Sequence, residues 1–124
     1  MFFSTTGEGY WLILSNTYLP DSGVMAPPID ELTKEGYDLQ FGTNVIGPYV
    51  FTKRLLPLLA AGAKSSDDKR ARVVNTSSSG QLFTDTIHFE ALRDVPLRKQ
   101  IGTNRMYMES KLVSCIGLWF TWDW

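Results

Sequence analysis

The segment YMESK, residues 107–111, carries a phenol and an ammonium four positions apart near the end of a chain of 124 residues. On an α-helix, residues i and i+4 share one face, so the heads of Tyr107 and Lys111 can converge on one point. A phenol has a pKa of about 10 and is a poor base at neutral pH, but a nearby ammonium favours the phenolate. Such a pair could act as general acid and base in alcohol–carbonyl interconversion. The same spacing also arises by chance on helix surfaces, so alone it leaves a structural role open.

Two further polar features could carry chemistry. The segment NTSSSG, residues 75–80, places hydroxyl groups at the end of a short apolar run. Ligands bind at the carboxyl edge of parallel sheets, although a polar exit from a strand would look the same. Asn44 lies within an apolar helical stretch, where an asparagine is mildly unfavourable. It is either a functional residue or one that is exposed or distorts the helix locally.

The first half of the chain predicts a strand followed by a helix. The apolar run YWLILS, residues 10–15, has the length of a buried strand, and a loop rich in proline follows it. Thr33 is a plausible N-cap for a long helix. Apolar residues then recur with helical spacing at Tyr37, Phe41, Val45, Phe51, Leu55 and Leu59. We expect Gly47-Pro48 to bend this helix or to split it in two.

The second half predicts another strand and another helix. RVVNTSS contains the β-branched Val73 and Val74 and reads as a strand, and residues 80–100 show no sustained period and predict a long surface loop. A last helix starts near Thr103 and carries YMESK. The order strand, helix, strand, helix is typical of a parallel α/β sheet. Two strands leave such a sheet with open edges, so the pattern predicts part of a larger sheet.

Composition excludes several classes of function. A net charge of −1 gives no electrostatic basis for binding nucleic acid, and no apolar run is long enough to span a bilayer. One cysteine and one histidine are too few for a zinc cluster, and we expect no metal site. The lone cysteine and the absence of a recognisable signal peptide favour a cytoplasmic or other intracellular location. His88 lies in the long loop without a partner at metal or triad spacing and is interpreted as a surface residue.

In their joint order, these motifs resemble the short-chain dehydrogenase/reductase family, in particular its members similar to retinol dehydrogenases and WW-domain oxidoreductases. The resemblance runs from about Leu12 to Leu112 and is strongest in GVMAPPIDELTKEGYDLQFGTNVIGPYVFTKRLLPLL and ARVVNTSSSG. It implies a Rossmann-like fold, of which residues 1–124 form a single incomplete domain with the central βαβα portion of a doubly wound sheet. The ends, residues 1–9 and 113–124, are atypical of the family.

The resemblance also implies the roles of individual residues in an NAD- or NADP-dependent oxidoreductase acting on a small alcohol or carbonyl compound. Asn44 matches the asparagine that holds a water in the proton relay, and Ser78 matches the serine that hydrogen-bonds the substrate oxygen. Tyr107 matches the general acid and base, and Lys111 matches the lysine that binds the nicotinamide ribose and favours the phenolate. The cofactor-binding residues it implies are Asn16, Gly23, Thr76, Tyr107 and Lys111.

Departures from the family pattern predict that this chain alone is inactive. Its only candidate for the glycine-rich dinucleotide loop is TTGEG, residues 5–9, which has two glycines and neither follows a strand nor opens a helix. The family's NNAG is interrupted, with Asn16 and Gly23 at its ends and TYLPD inserted between them. An alternative to an enzyme is therefore a truncated, non-catalytic remnant or partial gene model that associates through exposed apolar helices, for which a homo-oligomer through the long helices is the expected form.

Overall fold

The computed structural model describes residues 2–4, 10–14 and 17–21 as strand backbone and residues 23–116 with their side chains. Four strands form one sheet in the order β1 (Phe2–Ser4), β2 (Tyr10–Leu14), β3 (Thr17–Asp21) and β4 (Arg72–Val73). The pairs β1–β2 and β2–β3 are antiparallel, and β3–β4 is parallel. The sheet is therefore mixed, and the parallel doubly wound sheet expected from the family remains a prediction.

Strand β3 corrects one expectation. The residues TYLPD form a strand and not an inserted loop, and β3, not the expected strand at residues 10–15, pairs with β4 through Thr17–Arg72 and Tyr18–Val73. Pro20 and Asp21 are turn-forming residues, which made the segment look like a loop. A proline near a strand end removes only one donor from the ladder, so the strand tolerates it. The expected strand itself is present as β2.

The long helix begins later than its sequence indicates. Helix α1 (Leu39–Phe41) leads into a π-helical turn (Gly42–Ile46) and then into α2 (Gly47–Ser65). Its N-cap is Asp38, whose Oδ1 accepts a hydrogen bond from Phe41 N at 2.8 Å. Thr33 does not cap the helix because its Oγ1 accepts a hydrogen bond from Tyr37 N in the preceding turn.

The expected interruption at Gly47-Pro48 takes the form of the π-helical turn just before it. Pro48 lies in the first turn of α2 and has no N–H to donate to the carbonyl four residues back, which belongs to Asn44. The wider turn places the distortion at residues 42–46, and α2 begins directly after it at Gly47.

Residues 79–101 are more ordered than a surface loop. They contain two 3-10 helices (Ser79–Phe83 and Phe89–Leu92) and helix α3 (Pro96–Ile101). Ala91 and Leu92 are buried in the core beside Phe41 and Met106. Helices of one or two turns escape a periodicity argument because they hold too few apolar positions to repeat.

Helix α4 (Thr103–Ile116) confirms the expected last helix and its start. It carries YMESK and buries Met106, Glu109, Ser110 and Lys111. Its residues 113–116 continue the helix regularly, and residues 117–124 of the atypical end lie outside the described residues. Among the residues described, no helix is both long and apolar enough to cross a bilayer.

Candidate active site

Tyr107 and Lys111 lie one turn apart on α4. The Lys111 ammonium is 5.8 Å from the centre of the Tyr107 ring. Lys111 is only 8% exposed, and Tyr107 is half-buried. Among residues 23–116, no hydrogen-bond acceptor or carboxylate is recorded for this ammonium. An ammonium can donate three hydrogen bonds, which makes the position suited to a ligand that supplies oxygen atoms.

Asn44 lies in the π-helical turn and faces α4. It is 5% exposed, which excludes the exposed residue considered from sequence. Its Oδ1 accepts from Val24 N at 2.8 Å, and its Nδ2 donates to Val24 O and to Ser110 Oγ, each at 3.0 Å. Both amide hydrogens and one lone pair are therefore used within the protein. The side chain anchors the segment after β3 to α4.

Gly23 closes a third side of this site. A Cβ placed on it would lie 3.1 Å from Asn44 Oδ1 and 3.4 Å from Lys111 Nζ. The backbone at Gly23 therefore lies close to the side chains of both Asn44 and Lys111. Of the residues expected to bind a cofactor, Gly23 and Lys111 come together here. Asn16 falls outside the described residues, and Thr76 is exposed.

Ser78 and Tyr107 are neighbours on the same side of Gly80. A Cβ placed on Gly80 would be 3.5 Å from both Ser78 Oγ and Tyr107 Cε1. Ser78 Oγ accepts from Gly80 N at 3.2 Å and so caps the 3-10 helix. The neighbouring Ser77 is engaged elsewhere, because its hydroxyl donates to Lys111 O at 2.8 Å. The structure thus brings Ser78 to Tyr107, and Asn44 and Gly23 to Lys111.

The buried Gln40 and the half-buried Thr103 form a hydrogen-bonded pair near the site that the sequence did not indicate. Gln40 accepts from Ala26 N at 2.9 Å and donates to Thr103 O at 2.9 Å. Thr103 Oγ1 in turn donates to Pro27 O at 2.9 Å. Together with Asn44, they hold the segment after Gly23 against the helices. Gln40 and Asn44 are four residues apart on one helical face, which is the only pattern that could have related them.

His88 is not an unpartnered surface residue, as its loop position had indicated. Its Nδ1 lies 2.8 Å from Glu109 Oε1, and its backbone N–H donates to Glu109 Oε2 at 3.0 Å. Arg105 Nε donates to the same Oε1 at 3.3 Å. The buried Glu109 thereby ties residues 84–92 to α4. The partners are 21 residues apart, and no spacing rule relates a loop residue to a helix residue over that distance.

Two exposed ion pairs shift the pKa values of their own members. A hydrogen bond from Lys99 lowers the pKa of the Asp30 carboxyl, and Asp30 raises the pKa of Lys99. A hydrogen bond from Arg72 lowers the pKa of Asp68. No group of three or more metal-ligating side chains occurs in the part of the chain that the structure describes.

The chain is similar to several known proteins. A short-chain dehydrogenase/reductase of Armillaria gallica is 47% identical over 91 residues, which cover 73% of this chain and 28% of that protein. An uncharacterised oxidoreductase of Schizosaccharomyces pombe is 42% identical over 93 residues, covering 73% of this chain and 26% of the relative. A chloroplastic short-chain dehydrogenase of Brassica napus is 31% identical over 103 residues, covering 82% of this chain and 31% of the relative.

These relatives are named as dehydrogenases or oxidoreductases, and their family implies a Rossmann-like fold. The chain belongs to the short-chain dehydrogenase/reductase family and spans between a quarter and a third of the length of these three relatives. No family model matches the chain. No solved structure matches it either.

Proposed function

We propose that this chain carries the proton-transfer and nicotinamide-ribose part of an NAD- or NADP-dependent oxidoreductase site for alcohols and carbonyl compounds. The observation that carries the proposal is the approach of Gly23 to Asn44 Oδ1 and to the buried Lys111 ammonium, one helical turn from Tyr107. Family relatives named short-chain dehydrogenase/reductase support the reaction class.

The residues present fit a hydroxyl-bearing ligand beside Gly23. Lys111 can donate up to three hydrogen bonds and has no recorded acceptor within residues 23–116. Gly23 leaves the space that any other side chain would fill. Lys111 would bind the ribose hydroxyls, and the backbone at Gly23 would line the nicotinamide. When bound, the cofactor supplies a hydride acceptor or donor.

The proton chemistry follows from the remaining contacts. In the oxidation direction, Tyr107 would accept the hydroxyl proton of the alcohol as general base, while the bound dinucleotide would supply the acceptor for the carbinol hydride and the C–O bond would become a carbonyl. Ser78 Oγ, which borders the same space beside Gly80, donates to the substrate oxygen and fixes its orientation. Asn44 keeps Val24, and with it Gly23, at a fixed distance from α4.

A titration with nicotinamide mononucleotide, followed by NMR, tests the proposal on this chain. We expect saturable shifts at Gly23, Tyr107 and Lys111 with millimolar affinity, on the order of −4 kcal/mol. NAD and NADP should bind no more tightly, because the chain as printed holds no glycine-rich pyrophosphate turn. For the same reason, calorimetry at micromolar protein should show no saturable heat, and turnover should be absent.

The matched variants are Lys111→Met and Lys64→Met, the latter at an exposed lysine in the last turn of α2. Lys111→Met should abolish the shifts, and Lys64→Met should preserve them. Absence of shifts in the original chain, or equal shifts in both variants, would refute the ribose site. Turnover that disappears in Tyr107→Phe would show that the chain holds a complete cofactor site.

A second candidate is a non-catalytic polypeptide that associates with copies of itself through α2. The observation that favours it is the exposure of Tyr49 and Leu58 on that helix, at 62% and 68%. The same nucleotide titration separates the two, because self-association alone predicts no specific response at Gly23 and Lys111.

A further inference from the structure

Ser110 occupies a position that the reaction scheme does not use. It precedes Lys111 on α4 and is fully buried, with 0% exposure. Its hydroxyl donates to Tyr107 O at 2.7 Å and accepts from Asn44 Nδ2 at 3.0 Å. A single side chain therefore contacts the backbone of one candidate catalytic residue and the side chain of another, which lies 66 residues away.

Ser114 repeats this contact one turn further along α4. Its hydroxyl is 3.5 Å from Asn44 O, the carbonyl whose helical donor is missing because residue 48 is proline. The same hydroxyl lies 3.1 Å from Ser110 O, so α4 and Asn44 share it. Asn44 is thus approached by one serine at its amide and by another at its carbonyl.

From these contacts, we infer that Ser110 is a positioning residue that sets Asn44, and through it Val24 and Gly23, relative to Tyr107 and Lys111. The inference rests on the proposed function for its catalytic meaning, but the geometry stands on its own. Asn44 Nδ2 has two hydrogens, and they go to Val24 O and Ser110 Oγ. Removal of the Ser110 acceptor leaves one hydrogen unpaired in a buried site and takes away the bond that ties the amide to α4, so that only the two bonds to Val24 still orient it.

Loss of the Ser110 hydroxyl should also affect Val24, which hydrogen-bonds Asn44 and not Ser110. Asn44 Oδ1 accepts from Val24 N at 2.8 Å, and that bond depends on the orientation of the same amide plane. If Ser110 positions Asn44, its loss must loosen the Val24 N–H. If Ser110 only fills space within α4, the Val24 N–H must remain as it was.

The experiment compares Ser110→Ala with Ser65→Ala by NMR. Ser65 is a matched control because its hydroxyl also bonds carbonyls of its own helix, those of Ala61 and Gly62, but is exposed. In Ser110→Ala we expect the two Asn44 amide-hydrogen signals to move and the Val24 N–H to exchange about tenfold faster, as the loss of one hydrogen bond implies. Ser110→Thr, which keeps the hydroxyl, should restore both signals, and Ser65→Ala should change neither.

Unchanged Asn44 and Val24 signals in Ser110→Ala would overturn the inference, as would failure of Ser110→Thr to restore them. If Ser110→Ala does not fold, Ser110→Cys, which keeps the volume with a weak thiol donor, takes its place under the same criteria. The readout does not require a nucleotide. Failure of the mononucleotide to bind would therefore refute the proposed function without touching this inference.

Discussion

At the scale of single residues, Gly42 shows how closely the turn before the helix packs on it. A Cβ placed there would overlap Thr33 Cγ2. Glycine inside a helix is normally about 1 kcal/mol worse than alanine, so Gly42→Ala would be expected to stabilise the protein if there were space.

We predict the opposite sign, a loss of about 1–3 kcal/mol in the free energy of unfolding, because the new methyl group overpacks the contact. Chemical denaturation measures it. Thr33→Ser removes the opposing methyl and keeps the hydroxyl that Tyr37 N uses, so the double variant should recover most of the loss. Gly47→Ala, whose Cβ would meet only Gly42 O at 3.4 Å, is the control. A stabilised Gly42→Ala would contradict the packing described here.

Asp38 and Arg98 form a buried ion pair. Arg98 Nη2 lies 3.1 Å from Asp38 Oδ2, and each side chain is almost completely enclosed. Asp38 also caps the long helix, so the pair joins α3 to the start of α1. Replacement of one partner leaves the other charge buried without compensation.

We predict that Arg98→Met costs about 3–5 kcal/mol of unfolding free energy. Lys99→Met is the control, because Lys99 and its partner Asp30 are both exposed, and it should change little. Urea denaturation of the two variants decides the matter. Equal stability would show that the Asp38 carboxylate finds another partner when Arg98 is absent.

At the scale of elements, Asp68 and Arg72 connect the end of α2 to β4 through an exposed ion pair. The hydrogen bond from Arg72 lowers the pKa of the Asp68 carboxyl. A depressed pKa means that the pair stabilises the fold above the unfolded pKa, and that this contribution is lost as pH falls through the folded pKa.

We expect Arg72→Gln to raise the titration midpoint of Asp68 toward its ordinary value. NMR of the side-chain carboxyl carbon, followed from neutral to acidic pH, measures that midpoint directly. A midpoint of Asp68 that does not move in the variant would contradict the assigned cause.

Helices long enough to repeat an apolar pattern were predictable from the sequence, and short elements and contacts between elements were not. Thr103 as the start of α4 and the break near Pro48 follow from local rules, and both appear in the structure. The cap at Asp38 was missed because Thr33 satisfies the same composition rule and only the packed turn decides between them. Strand β3 was missed because a proline and an aspartate outweighed its β-forming residues.

In the candidate site, a pair within one helix was likewise predictable, and contacts between separate elements were not. Tyr107 and Lys111 were predictable as a pair because one helix fixes their spacing. The contacts of Asn44 with Val24 and Ser110 were not predictable, because they depend on how the loop after β3 lies on two helices. No local property of the sequence encodes such a contact.

At the scale of the whole molecule, α2 exposes apolar side chains, with Tyr49 and Leu58, nine positions apart, on opposite sides of the helix. Tyr49, Val50 and Leu58 are exposed on it. Exposed apolar patches of several hundred Å² are typical of surfaces that bind other proteins or aggregate.

We predict that the expressed chain elutes larger than its 14.0 kDa in gel filtration. Tyr49→Ser combined with Leu58→Ser should shift it toward the monomer, because the variant removes apolar area that association would bury. Lys53→Ser with Arg54→Ser, on exposed polar positions of the same helix, is the control. A sharp monomer peak for the original chain, with a cooperative melt, would exclude association through α2.

The π-helical turn at Gly42–Ile46 has a further consequence for how this helix tolerates changes in length. Such a turn holds one residue more than an α-helical turn, and one residue corresponds to about 100° of helical rotation. Deletion of a single residue there would restore an ordinary α-helical turn and leave α2 in its present phase, whereas the same deletion within an α-helical turn of α2 would rotate everything that follows by about 100°. In that second case Leu59 would move to the exposed position now held by Leu58, so the helix tolerates the loss of one residue at the candidate site and not beyond it.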